Sequence, residues 1–209
     1  MTSSAKLTKR TSHRGRPREF RRETALLNAL DVFWKCGYEP ASISQLCSAM
    51  EINPPSLYAA FGNKAQLFLE AVNHYEHTFW DSAWSRLDEG HDVKDAVIRF
   101  YKSAAEILTS TDAPCGCMVI LAAINVSIES QTVIDALKKL RHNSQNRFKK
   151  RLSRAIKEGQ LPVETNISAL SATLYALIEG MSIQARDGAS QSELEDISEY
   201  ISLLFPRTP

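Results

Sequence analysis

The sharpest chemistry in this 209-residue sequence sits at Cys115-Gly116-Cys117, two thiols flanking a glycine just after Pro114. At the start of a helix, where the preceding proline would place them, free amides and the helix dipole would lower a thiol pKa. Three readings stay open: inert packing, redox or electrophile sensing through Cys115 and Cys117, and soft-metal binding if His74 and His77, three apart, face the same side. A thiol enzyme would need a base such as His142 beside Cys117, and the chain has no G-x-S-x-G, P-loop, G-x-G-x-x-G or H-E-x-x-H pattern. The sequence therefore assigns no catalytic residue, no metal site and no cofactor.

A second chemistry lies in the distribution of charge. Residues 1–22 carry eight bases and one acid, a net of +7, whereas residues 73–209 carry fifteen bases and eighteen acids, a net of −3, under a formal total of only +1. The positive end is the candidate contact for a polyanion. The composition is otherwise that of a globular protein, 44% hydrophobic with 8 Gly and 8 Pro. No long apolar run and no secretory signal are found, so the expectation is a cytoplasmic protein without a membrane contact, its four cysteines reduced.

The elements that position these residues follow from periodicity and caps. Leu26, Leu30 and Phe33 repeat at helical spacing and Gly37 stops the run, giving a first helix over about 21–36. Ser42-Ile43-Ser44-Gln45 reads as a capping box opening a second helix of about eight residues, with Ile43, Leu46, Cys47 and Met50 inward. Asn53 caps a third helix, Pro54 to Phe61, whose prolines stand in the first turn where a missing N–H costs nothing. Leu57 and Phe61 face inward, which leaves Pro54, Pro55, Ser56, Tyr58 and Ala59 on a small, uncharged outer face. Two short helices joined by a tight turn form a helix-turn-helix, the arrangement that enters the major groove of DNA.

A fourth helix starts at Asn63, whose spacing to Gln66 repeats a capping box, and runs to about Asp88, roughly 36 Å. Breaks at 112–114 and 159–162 divide the remainder into helices near 92–109, 116–128, 131–158, 166–187 and 191–204. Phe79, Trp80, Trp84, Tyr101, Cys117, Met118, Asn125, Phe148 and Tyr175 are candidates to line an apolar cavity for a small molecule. Ala169, Ala172, Ala176 and Gly180 form a small-residue ridge, with Ile178, Met181, Ile197, Ile201 and Leu204 adding apolar area, as a two-fold interface between copies requires.

The segments RGRPREF, ALDVFWKCGYEPASISQL and INPPSLYAAFGNKAQLF make residues 14–70 resemble the DNA-binding domain of the TetR family of bacterial transcriptional regulators, the AcrR-like helix-turn-helix repressors. EGMSIQARDGAS, residues 179–190, resembles the dimer region of one branch. The departure is Pro54-Pro55, where a Lys-Gly or similar pair is frequent, and it bears on base preference rather than docking. The resemblance implies that Ser42, Ser44, Tyr58 and Lys64 bind phosphates, that Pro54, Pro55 and Ser56 approach base edges while Ala59 permits close approach, and that Arg14, Arg16 and Arg18 reach an adjacent minor groove.

The expectation is an all-α protein of about nine helices: a basic arm (1–19), a helix-turn-helix domain (20–72, the motif at about 42–61) and an effector-binding and dimerisation domain (73–209). Its function would be that of a homodimeric repressor, released from a palindromic operator by a small-molecule or thiol-reactive inducer. An effector-independent DNA-binding protein and a thiol enzyme are the alternatives.

Overall fold

The computed structural model describes residues 22–111, 113–122 and 124–205, and every regular element among them is helical. The first three are α1 (Arg22–Cys36), α2 (Ile43–Ala49) and α3 (Pro54–Phe61). Phe33, Leu46, Leu57, Phe61 and Phe68 close a small core between them, with Phe33 edge-on to Phe68 at 5.1 Å. The α2 cap differs from the expected box: Ser42 Oγ accepts from the Gln45 amide, but the Gln45 side chain turns to Cys36 Sγ. Asn53 Oδ1 accepts from the Ser56 amide at 2.9 Å and so caps α3. These caps matter because two-turn helices are marginal alone and must be fixed at their ends.

A single rod then leaves the motif. It consists of α4 (Lys64–Tyr75), a π turn (Glu76–Trp80) and α5 (Asp81–Glu89), and counting it as one helix meets the nine-helix plan among the described residues. Asn63 and Gln66 make both halves of a capping box at its start. The π turn carries no signal in the sequence, since Glu76-His77-Thr78-Phe79-Trp80 continues a helical pattern. At the far end, two arginines of α8 (Gln131–Lys157) satisfy the last carbonyls of α5: Arg151 donates to Leu87 O and Gly90 O, and Arg154 to Gly90 O at 2.8 Å. Cations at a helix C-terminus also suit its dipole.

The remaining elements are α6 (Val93–Leu108), α7 (Met118–Leu121), α9 (Ile167–Arg186), α10 (Gln191–Ile201) and two 3-10 turns, Ile128–Ser130 and Ser202–Leu204. α6 packs between α5, α9 and α10, while α8 lies against α9. The expected helix over 116–128 is a correction: only the single turn α7 forms there. Gly116 has φ +83°, and a Cβ on it would stand 2.8 Å from Ser182 O, so the chain touches α9 in a conformation that does not start a helix. The Cys117 amide goes to Ser182 Oγ and Ala122 O accepts from the Tyr38 amide, which ends the turn after one round.

Gly62 closes α3 with φ +80°, and a Cβ there would lie 1.8 Å from Gln66 Oε1, the group that completes the next cap. Gly62→Ala is therefore expected to cost about 2 kcal/mol, the sum of an unfavourable left-handed residue and a lost cap. Urea unfolding followed by circular dichroism checks it; a variant as stable as the parent would mean that the junction tolerates the side chain.

Candidate nucleic-acid interface and effector cavity

The outer face of α3 is bare. Pro54, Pro55, Ser56 and Ala59 are exposed and Tyr58 is 48% exposed, while Leu57 and Phe61 on the other side are buried. Ser42 and Ser44 are exposed at the neighbouring start of α2. The motif's turn contains Glu51 at φ +54°, the one non-glycine in the left-handed region among the described residues. Arg22 locks the assembly from α1, paired with both carboxylate oxygens of Glu70 and lying 4.5 Å over the Phe61 ring.

Lys64, expected at a phosphate, also makes contacts within the protein. Its ammonium is half-buried, donates to Glu39 O at 3.0 Å and lies 4.7 Å over the Tyr38 ring. Burial moves its pKa down, with Glu39 opposing. It therefore ties the start of α4 to the loop between α1 and α2. Arg14, Arg16 and Arg18 lie outside the described residues.

The domains meet at Trp34 of α1. Its ring lies edge-on to Tyr75 at 4.6 Å and to Phe79 at 5.2 Å, and its Nε1 donates to Gly116 O at 2.8 Å. Arg186 of α9 bridges the same seam, from Cys115 O to Trp34 O. Glu39 Oε1 accepts from the Ser127 amide and from Ser130 Oγ, both at 2.9 Å.

Behind that seam a small cavity of about 20 Å³ is lined by Glu76, Trp80, Trp84, Cys117, Val119, Ile120, Ser144, Tyr175 and Ile178. Of the nine expected pocket residues, Trp80, Trp84, Cys117 and Tyr175 line it. Phe79 packs on Trp34 instead, and Met118 and Phe148 are core; Tyr101 is core too, its hydroxyl donating to Leu174 O. Asn125 is exposed, a correction that follows from the missing helix, since without it the residue has no inward face. Glu76 is the addition that periodicity missed, because a carboxylate is read as surface by default. Burial raises its pKa to about 7, with Asp81 adding to the rise and Arg147 and His77 opposing it.

The Cys117 thiol does not behave as the dipole argument expected. The Cys117 thiol is buried, and burial pushes its pKa up to about 12, with Glu76 adding and a hydrogen bond to Tyr75 opposing. A four-residue helix supplies too little dipole to offset desolvation. Cys115 is exposed two residues away. His142 stands exposed in an open groove with Lys138 and Glu179, while the Cys117 thiol bonds to Tyr75, so the arrangement offers no base to a nucleophile. His74 and His77 bond along their own helix, to Thr78 and to Asn73 O.

On α9, Ala169, Ala172 and Ala176 are exposed, Gly180 is half-buried, and a Cβ on Gly180 would meet nothing within 4 Å. Ile183, Tyr200 and Leu203 are also exposed apolar residues, at 48%, 70% and 76%. Ile178, Met181 and Ile201, expected on this face, are buried inside the protomer, and Ile197 packs partly against its core. Apolar character alone could not say which neighbour they meet.

Two family descriptions match the chain: "Bacterial regulatory proteins, tetR family" over residues 26–71 and "Tetracyclin repressor-like, C-terminal domain" over residues 94–200. The HTH-type transcriptional repressor ComR of Escherichia coli strain K12 is 34% identical over 207 residues, 98% of this chain and 97% of that protein. The HTH-type transcriptional repressor BdcR of the same strain is 36% identical over 106 residues, 51% of this chain and 54% of that protein. Among solved structures, a cysteine-substituted form of the TetR family regulator CifR, complexed with 26-base-pair operator DNA, superposes with a TM-score of 0.87 at 39% identity, covering 91% of this chain and all of that one.

Glu76 gives the protein a pH signature. With a folded pKa of about 7 against an ordinary 4.5, both folded and unfolded chains hold the proton below 4.5. As pH rises from there towards 7 the unfolded chain loses it first, so stability falls through that window and then levels. Glu76→Gln never ionises and is expected to be more stable than the parent by about 3 kcal/mol near pH 8, and by much less near pH 5. Urea melts at the two pH values check this; an equal difference at both would refute it.

Proposed function

The chain belongs to the TetR family of bacterial regulatory proteins and is a DNA-binding transcriptional repressor; from that premise we propose a homodimer that grips a palindromic operator through paired α3 helices and releases it when a small molecule enters the cavity at Glu76 and Tyr175. One observation carries the release: the rod that begins at the Asn63 cap, directly behind α3, is the same rod whose π turn lines the cavity. A ligand that prefers one setting of the π turn also prefers one setting of α3. Coupling of about 1–3 kcal/mol would change operator affinity roughly 5- to 150-fold.

In the DNA complex Ser42, Ser44 and Tyr58 bind phosphates, Pro54, Pro55 and Ser56 approach base edges, and Ala59 lets the helix sit close. Arg14, Arg16 and Arg18 follow the minor groove as the arm. The exposed face of α3 supports this, as does the likeness to CifR with its operator. Cys117 acts as cavity wall rather than trigger, since its thiol carries little thiolate near neutral pH. The α9 ridge of Ala169, Ala172, Ala176 and Gly180 meets its two-fold copy.

Footprinting on genomic fragments retained by the protein is expected to show an inverted repeat with half-sites about 34–36 Å apart, one DNA turn or a multiple of it. A Cβ on Gly180 would meet nothing within 4 Å in the protomer, so the position has room for a side chain unless a partner covers it. Gly180→Glu is expected to give helical monomers that no longer hold the operator, read by sedimentation and gel shift. A variant that sediments as a dimer would move the interface elsewhere.

Lys64 separates holding from touching. Lys64→Met is expected to lower operator affinity by releasing the loop at Glu39, yet to leave the slope of log affinity against log salt unchanged. A slope smaller by about one would return Lys64 to the phosphate contacts.

A further inference from the structure

The cavity on the rod holds an acid without a base. Glu76 is the one carboxylate among its lining residues, and the others are Trp80, Trp84, Tyr175, Val119, Ile120, Ile178, Ser144 and Cys117. Among the described residues no cation pairs with it. Arg147 is near enough to act on it, but that guanidinium lies 5.0 Å over the Trp84 ring and pairs with Asp88 at 3.1 Å. The Trp80 and Trp84 rings stand 6.3 Å apart, tilted by 35°.

This composition discriminates between ligand charges. An anion would meet the carboxylate directly, and a neutral apolar molecule would leave a buried acid unpaired. An organic cation gains on three counts: a counter-ion in Glu76, attraction to ring faces, and apolar walls for its substituents. We propose that the cavity receives a small organic cation, a protonated amine or quaternary ammonium bearing an apolar group, with Glu76 as counter-ion and Trp80, Trp84 and Tyr175 as aromatic walls. The proposal rests on the reading of this cavity as the effector site and names the class of effector.

The volume of about 20 Å³ has room for about one water, so entry must part α8, at Ser144, or the α7 turn, at Val119 and Ile120, from the π turn. Glu76 is the first residue of that turn, so a cation drawn to its carboxylate pulls on the rod itself. The carboxyl faces Tyr75, His77 and Asp81 from its own rod, Cys117 from the loop, Arg147 from α8 and Tyr175 from α9. Their net effect, led by burial, keeps it partly protonated near neutral pH, and a cation beside it favours the charged form. Cation binding therefore expels protons.

The test is calorimetry on the full chain with 2-phenylethylammonium and benzyltrimethylammonium as cations, 2-phenylethanol as neutral counterpart and phenylacetate as anion. Both cations are expected to bind with Kd of about 1 mM or tighter, the alcohol at least about tenfold more weakly, and phenylacetate not measurably. Near pH 7 the cations should release protons, seen as a dependence of the heat on the buffer, and Glu76→Gln should abolish that release and reduce the preference for amine over alcohol to within about threefold. Failure of both cations to bind, equal binding of amine and alcohol by the parent, or undiminished preference in Glu76→Gln would each overturn the proposal. The parent comparison needs no variant, so it stands whatever the folding of Glu76→Gln. Gel shifts with the same cations test the underlying reading separately: selective binding with unchanged operator affinity would keep the cation site and refute its role in release.

Discussion

The structure depends on one side chain that belongs to both of its halves. Trp34 is part of α1, the first helix of the DNA-reading head, yet its ring is enclosed by Tyr75 and Phe79 of the rod and its one donor is spent on Gly116 O in the loop against α9. A buried indole must bond its N–H, and aromatic pairs add about 0.5–1.5 kcal/mol each beyond the area they cover. These demands fix α1, the rod and the loop relative to one another. With Arg186 spanning Cys115 O and Trp34 O, the reading head is bolted to the helix that carries the small-residue ridge. The core is accordingly continuous from Leu57 to Leu194, with no apolar break at the junction.

The π turn is the second constraint. One residue is added to a helix that must serve two surfaces: α4 presents Leu67, Phe68, Ala71 and Val72 to the reading head, and α5 presents Ala83, Trp84 and Leu87 to α6 and α8. The extra residue shifts the angular register between those stripes and turns Glu76 inward. π turns are rare and recur at functional positions, in keeping with the place of this one beside the cavity.

What could be read from the sequence and what could not divides along a physical line. The reading head was legible because its signals are local: Asn53 and Asn63 each find an amide three residues on, prolines mark a first turn, and Leu57 and Phe61 share a face. The candidate DNA contacts follow from those caps, since exposure is what remains once the inward face is known. The loop before α8 was illegible because Met118 to Val126 is apolar enough for a helix, and the Tyr38 amide, far off in the chain, takes the Ala122 carbonyl that a longer helix would have used. The bond of Lys64 was hidden for the same reason: its partner Glu39 O is 25 residues away. Ile178 and Ile201 were expected to add apolar area to an interface, but apolar character does not give the identity of what covers it.

Under the proposed release, the small size of the cavity also sets how the repressor would respond to its surroundings. A site that must open before it can be filled binds with an apparent affinity reduced by its open fraction, so an opening populated about 1% of the time weakens every ligand about a hundredfold. That penalty falls on all comers alike. Molecules with a partial fit, present at modest concentration, are screened out before any discrimination by shape or charge begins. It also gives evolution a dial remote from the binding residues: substitutions that loosen the packing of α8 on α9, or of Trp34 in its seam, would change the concentration at which the gene is switched without altering what the protein recognises.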